Sequence, residues 1–162
     1  MSTGTVFWFT GLAGRSSFCQ RRVNSVFLDG DQLREVFGND LGHTPQDRLA
    51  SATRNARLCK MLSDQGIDVV CATISMLHAC RAWNRAHIAS YWEIYVRAPM
   101  AVLEKRDPHG LYSRARRGEI ANVVGIDIAA EEPERPDLVL ESDGTRKPAD
   151  LAELAWQKLG AP

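Results

Sequence analysis

Two carboxylates stand one residue apart at Asp29-Gly30-Asp31, with Arg34 three positions on, and Gly11-Leu12-Ala13-Gly14 follows the apolar run Val6 to Phe9. A carboxylate at the carboxyl end of a parallel strand lies in the crevice where α/β sheets bind ligands. There it can serve as general base toward a hydroxyl or hold Mg2+. The plainer use of the same segment is a turn with an Asp capping a helix. The glycines form half of a phosphate-binding loop, GxxxxGK[ST], whose backbone N–H groups cradle phosphates while its Lys reaches the terminal ones. Here Gly14 is followed by Arg15-Ser16-Ser17 and no Gly-Lys pair is nearby, so the half-motif alone is equally a turn. Arg48, Arg54, Arg81, Arg85, Arg114, Arg116 and Arg117 supply guanidiniums that could bind phosphate or sulfate bidentately. Each taken singly is more simply a solvated helix residue.

These residues need elements to hold them. Val6 to Thr10 is β-rich and ends at Gly11, and Val26 to Leu28 is a second short strand ending at the paired carboxylates. Thr44 can N-cap a helix with Pro45 at its first position and Asp47 in its first turn. Leu49, Ala52, Ala56 and Cys59 then predict the buried stripe, and Gly66 the stop. Asp68 to Ile74 reads as a central parallel strand. His78 to Tyr91 reads as a helix, Glu93 to Val96 as a strand, and Pro99 opens another helix. Residues 107–136 are rich in Arg, Gly and Pro and predict a mobile flap with one helix, Leu111 to Arg117. Asp137 to Leu140 is a last strand and Pro148 to Leu159 a closing helix. Strands alternating with helices predict an α/β fold: a mostly parallel sheet with helices on both faces, formed by residues 1–162 as one domain.

Bulk properties narrow the partners. The chain has 162 residues, 44% hydrophobic and 25% charged, with 20 Lys plus Arg against 20 Asp plus Glu. A net charge near zero argues against a nucleic-acid polymer, while local clusters of Arg suit a small anion. The N-terminal apolar run is too short for a signal peptide or a membrane span. Four cysteines without a CxxC pair are expected as reduced, partly buried thiols, which points to the cytoplasm.

Taken together, several strings resemble the adenylylsulfate kinase family over Val6 to Gly144. They include Phe9 to Gly14, Phe27 to Arg34, Asp40-Leu41-Gly42, Asp47-Arg48, Ile74-Ser75, Arg106 to Tyr112, Gly125-Ile126-Asp127 and Glu134 to Leu140. The resemblance implies a three-layer P-loop kinase fold, with ATP and Mg2+ as cofactors and transfer of a phosphoryl group to the ribose 3′-hydroxyl of a nucleotide. It implies Asp31 as the catalytic carboxylate and Gly11, Leu12, Ala13, Gly14, Arg15 and Ser16 as a degenerate phosphate loop. Asp29, Arg34, Arg48, Ser51, Ile74 and Ser75 would bind the acceptor, and Arg106, Asp107, Leu111 and Tyr112 would form the nucleotide side of the flap. No protein metal site is implied; the acceptor is a small molecule, no membrane is involved, and a homodimer is consistent with the family.

The chain departs from the family in two places. After Gly14 only Arg15 to Ser25 precede the second strand, close to the 10–12 residues a parallel crossover needs at minimum. Where the family has Glu-Asn-Ile-Arg-Arg, this chain has Ala50-Ser51-Ala52-Thr53-Arg54. Its flap has Ala121 to Val124 where the family has a Lys and an aromatic residue. The resemblance therefore implies an adenylylsulfate-type kinase, a kinase of a cytidine-diphosphate-linked acceptor in surface-polysaccharide modification, or a nucleotide-binding module without transfer.

Overall fold

A computed structural model describes residues 2–12, 24–107 and 109–159. Five strands, β1 (Val6–Thr10), β2 (Ser25–Asp29), β3 (Asp68–Thr73), β4 (Tyr91–Arg97) and β5 (Leu138–Glu141), form one parallel sheet in the order β2-β3-β1-β4-β5. Six helices accompany them: α1 (Gly30–Val36), α2 (Pro45–Asp64), α3 (His78–His87), α4 (Met100–Arg106), α5 (Leu111–Arg116) and α6 (Pro148–Lys158).

The period-two geometry of a strand divides β1 between two cores. Phe7 and Phe9 join Val70, Ile94, Leu138 and Trp156 of α6 on one face, where Phe7 meets Trp156 edge-on at 5.8 Å. Val6 and Trp8 join Val69, Cys71 and the Ala52, Ala56 and Cys59 side of α2 on the other. The central strand is thus apolar on both faces, and its unbroken run of apolar residues follows from that.

Helix α2 begins as its first residues dictate. Thr44 accepts from the Asp47 backbone N–H at 3.2 Å and Pro45 occupies the first turn. Its buried side keeps Ala52, Ala56 and Cys59 of the expected stripe but not Leu49. Leu49 is 42% exposed, and burial runs through Ala52, Asn55, Ala56, Cys59 and Ser63. The first two turns instead carry Pro45, Arg48 and Ser51 along a cleft.

One other expectation shifts. Tyr91 belongs to β4, since α3 closes at His87. The helix α1 follows β2 directly, with Asp29 as its cap. The segment after α4 carries α5, as expected, and also packs a small core of its own: Leu103, Tyr112 and Val123 are buried together, with Leu12 and Met100 against them.

Candidate active-site cleft

In the sheet order, the strand that follows β1 in the chain (β2) lies beyond β3, and the strand that follows β3 (β4) lies beyond β1, so the order reverses between these two neighbours, where a crevice opens at the carboxyl ends of such strands. Gly11 ends β1 with φ +142, and a Cβ there would lie 2.2 Å from the Val96 carbonyl oxygen, so only glycine permits this approach to β4. Beside it, Thr10 donates its hydroxyl to the Ser75 carbonyl at 3.1 Å, and Thr73 Oγ1 lies 2.6 Å from Ser75 Oγ. The ends of β1 and β3 are tied together at this point.

A cleft of about 840 Å³ extends from that edge between α1, α2 and the α5 segment. Asp31, Arg34 and Arg48 all line it, and so do Ser51, Ile74, Ser75, Leu111 and Tyr112. Leu12 lines it as well, and with Gly11 and Asp29 it also lines a smaller adjoining pocket of about 190 Å³. Asp29 accepts from the backbone N–H groups of Asp31 (2.9 Å) and Gln32 (3.2 Å). It therefore both caps α1 and sits at the strand end, and Asp31 follows in the helix's first turn.

The two cleft arginines are held by neutral oxygens. Arg34 donates to the carbonyls of Leu41 (2.9 Å) and Gly42 (3.2 Å); Arg48 donates to those of His43 (3.0 Å) and Asn122 (2.6 Å). Neither has a carboxylate within ion-pair distance among the described residues. Burial and the nearby Arg34 charge lower the Arg48 pKa, opposed by Asp127. His43, between them, is also held below its ordinary value, first by burial and then by the positive charges of Arg34 and Arg48. The cleft is a preformed cationic pocket that would accept an anion.

Other expected residues take different places. Ala13, Gly14, Arg15 and Ser16 lie outside the described residues. Arg106 does not line the cleft: it donates to Ser142 Oγ at 3.2 Å, beyond the end of β5. Asp107 is absent from the lining too, because it accepts from Leu111 N (2.6 Å), Ser113 N and Ser113 Oγ (both 3.0 Å) and so starts α5. Arg81 and Arg85 meet Glu93, and Arg85 also meets Asp137 at 3.1 Å. Arg114 and Arg117 pair with Glu119, and Arg116 with Glu104. Each of these five has a carboxylate partner, and Arg54 has Asp40 at 2.8 Å.

Reading the sequence missed His43, Asn55 and the Ala121–Val124 stretch as cleft residues. Asn122 has φ +65, and its N–H and that of Val123 both donate to the Asp127 carboxylate (2.6 and 2.5 Å). The Gly125-Ile126-Asp127 string thereby shapes the turn that presents a carbonyl to Arg48. Gly125, at φ +90, leaves room for Met100 and Leu12, since a Cβ there would come within 2.7 Å of the Met100 methyl. No group of three or more possible metal ligands gathers among the described residues. No helix among them is long and apolar enough to cross a membrane.

The parallel sheet in the order β2-β3-β1-β4-β5 with its helices matches the P-loop fold of a solved adenylylsulfate kinase. The chain belongs to the adenylylsulphate kinase family, whose profile matches residues 3–141. It is 37% identical to a cytidine diphosphoramidate kinase of Campylobacter jejuni subsp. jejuni serotype O:2, over 95% of each chain. It is also 37% identical to a probable adenylyl-sulfate kinase of Bacillus subtilis, over 96% of this chain and 85% of that one. Among solved structures, the APS kinase CysC of Mycobacterium tuberculosis in complex with AMPPNP and APS superposes with a TM-score of 0.88 at 32% identity, over 99% of this chain and all of that one. The Campylobacter alignment runs over 164 positions while using 95% of a 162-residue chain, so some of its positions face gaps on this side.

Proposed function

We propose that this protein is an ATP-dependent kinase that phosphorylates the ribose 3′-hydroxyl of a nucleotide acceptor, as an adenylylsulfate kinase does. The observation that carries the reading is the convergence of Asp31, Arg34 and Arg48 on one cleft, with both guanidiniums held by carbonyl oxygens and their charge left for an anion. In this reading Arg34 and Arg48 hold the acceptor's phosphate-bearing end. Asp31 faces the hydroxyl and takes its proton as the new O–P bond forms and ADP departs. Phosphoryl transfer asks chiefly for positioning and charge neutralisation, which this arrangement supplies.

Mg2+ would arrive with ATP. Asp29 and Asp31 offer the hard oxygen donors this ion prefers, and too few ligands gather here for an all-protein site. When bound, the ion would neutralise charge on the transferring phosphates. Arg106, beside Ser142 at the end of β5, would lie on the ATP side.

A cytidine-diphosphate-linked acceptor is the second candidate, favoured by the Campylobacter relative and by Val123 and Ala121 lining the cleft without an aromatic clamp. The absent Gly-Lys pair favours a third reading, a protein that binds the acceptor without transferring phosphate.

The test uses the full chain with Mg2+, ATP and adenylylsulfate or cytidine-diphosphate acceptors, following ADP release and calorimetric binding together. Turnover with either acceptor supports the proposal and names the base. Binding of an acceptor with no turnover selects the third reading. No binding by any nucleotide overturns the use of the cleft altogether.

A further inference from the structure

Arg48, Ser51 and Asn55 lie three and four residues apart on α2, so they share one face of the helix, and all three line the cleft. Asn55 is the deepest of them. It is 3% exposed, and its carboxamide has no hydrogen-bond partner among the described residues. Its polar atoms are not among those sealed from solvent without a partner, so they open on the cleft. Buried polar side chains are almost always satisfied by protein or water, so one aimed into a cleft is a position where a ligand group supplies the missing partner. The neighbouring small polar residue on α2 does not fill this role: Ser51 is only half-buried and sits a turn nearer Arg48.

The spacing suggests which ligand group. Seven residues of α-helix separate Arg48 from Asn55, a rise of about 10 Å. That is the kind of reach that runs from a nucleotide's 5′-phosphate across the ribose to the far edge of its base. A carboxamide carries an acceptor and a donor side by side and can pair with an exocyclic amine and the adjacent ring nitrogen. Adenine and cytosine both present that pair.

We infer that Asn55 is a specificity-determining residue that hydrogen-bonds the amino edge of the acceptor's base, with the acceptor's phosphates on Arg48 and Arg34. The inference rests on the proposed nucleotide acceptor and adds the group that reads its base.

The experiment measures calorimetric affinity of the full chain, with a non-hydrolysable ATP analogue filling the donor side. The probes are cytidine 5′-diphosphate and adenosine 5′-monophosphate, each beside the analogue that carries hydrogen in place of the exocyclic amine. The unmodified protein should bind at least one parent nucleotide about tenfold more tightly than its deaminated partner. Asn55→Leu, close in volume, should bring that ratio to near one and leave the affinity for ribose 5-phosphate unchanged. The same variant should melt no lower than the parent, because the amide has no partner among the described residues to lose; a structural role for Asn55 would instead lower the melting temperature. Asn55→Ala provides the same ratio should the leucine variant fold poorly. Which parent binds identifies adenine or cytosine as the source of the amine. Nucleotide binding with a ratio that Asn55→Leu does not change overturns this inference alone. No nucleotide binding by the unmodified protein overturns it together with the proposed function.

Discussion

Two pairs of arginines stand on helices beside the sheet, Arg34 on α1 with Arg48 on α2 and both Arg81 and Arg85 on α3, and their surroundings are opposite. Arg81 and Arg85 on α3 face Glu93, which is buried beside Arg81 at 3.7 Å and Arg85 at 3.3 Å, while Asp137 completes the group. Arg81 also donates to the carbonyl of Glu131 at 2.7 Å, and Arg85 to that of Arg135 at 2.9 Å. The end of the flap is thus clamped to the sheet by charges that neutralise one another. Arg34 and Arg48 are positioned as firmly, but by carbonyls alone. Carbonyls orient a guanidinium without cancelling its charge. A compensated pair fixes the fold, and an oriented but uncompensated pair can receive a ligand. The distinction lies in the partner's charge and not in the number of hydrogen bonds.

That contrast can be broken most severely at the chemistry itself. Asp31→Asn should reduce turnover with ATP and the accepted nucleotide by about 10²–10⁴-fold. Asp29, which caps α1, is left in place by this change. An unchanged rate would assign the base to another group. Next in size, Glu93→Ala leaves the buried Arg81 charge without its carboxylate and should destabilise the fold by about 3 kcal/mol in denaturant unfolding. An effect below roughly 1 kcal/mol would mean the α3 pairs are not what clamps the flap.

The arginines themselves sharpen the comparison. Arg48→Ala should raise the acceptor's KM about ten- to a hundredfold and leave the KM for ATP nearly unchanged, since a charge-assisted bond is worth ~1.5–3 kcal/mol. Arg85→Ala should lower stability and leave both KM values alone. If the two variants behave alike, the contrast between compensated and uncompensated pairs fails.

The smallest effect is a pH dependence. His43 is held below its ordinary 6.5 by burial and by Arg34 and Arg48. A bound phosphate would remove that repulsion and raise the imidazole's affinity for a proton, so binding takes up a proton. Acceptor affinity should therefore increase about threefold as pH falls below 6.5, and His43→Asn should flatten the slope. Stability of the free protein should run the other way. The unfolded chain binds the proton the folded one refuses, so the contribution is present above 6.5 and is lost on acidification through the lowered folded value.

Much of this architecture was legible in the sequence because it is local. Thr44-Pro45 with Asp47 is a helix start whatever surrounds it, and Asp68 to Ile74 is apolar enough that a central strand is the natural outcome. The spacing of Asp31, Arg34 and Arg48 also carried over into a shared cleft. What failed was decided by tertiary neighbours. Leu49 is apolar but stands before the part of α2 that meets the sheet, so the stripe read from hydrophobicity held at Ala52, Ala56 and Cys59 and failed at Leu49, while the polar Asn55 is buried as well. Arg81, Arg85, Arg114, Arg116 and Arg117 read singly as solvated helix residues, and the carboxylates they meet could not be foreseen because these lie in other elements or across a turn. Asp107 looked like part of a nucleotide-covering turn, yet the N–H groups of the helix it starts already occupy its oxygens.

Cys59, Cys71 and Cys80 lie together between the sheet and its α2–α3 layer, all buried, with the Cys80 thiol pushed up to about 12 by burial and aimed at the Ala52 carbonyl. At neutral pH such a sulfur is almost wholly protonated and screened from solvent. An alkylating reagent can reach it only after that layer lifts, so sulfhydryl labelling acts as a built-in clock for breathing on the side of the sheet these helices cover.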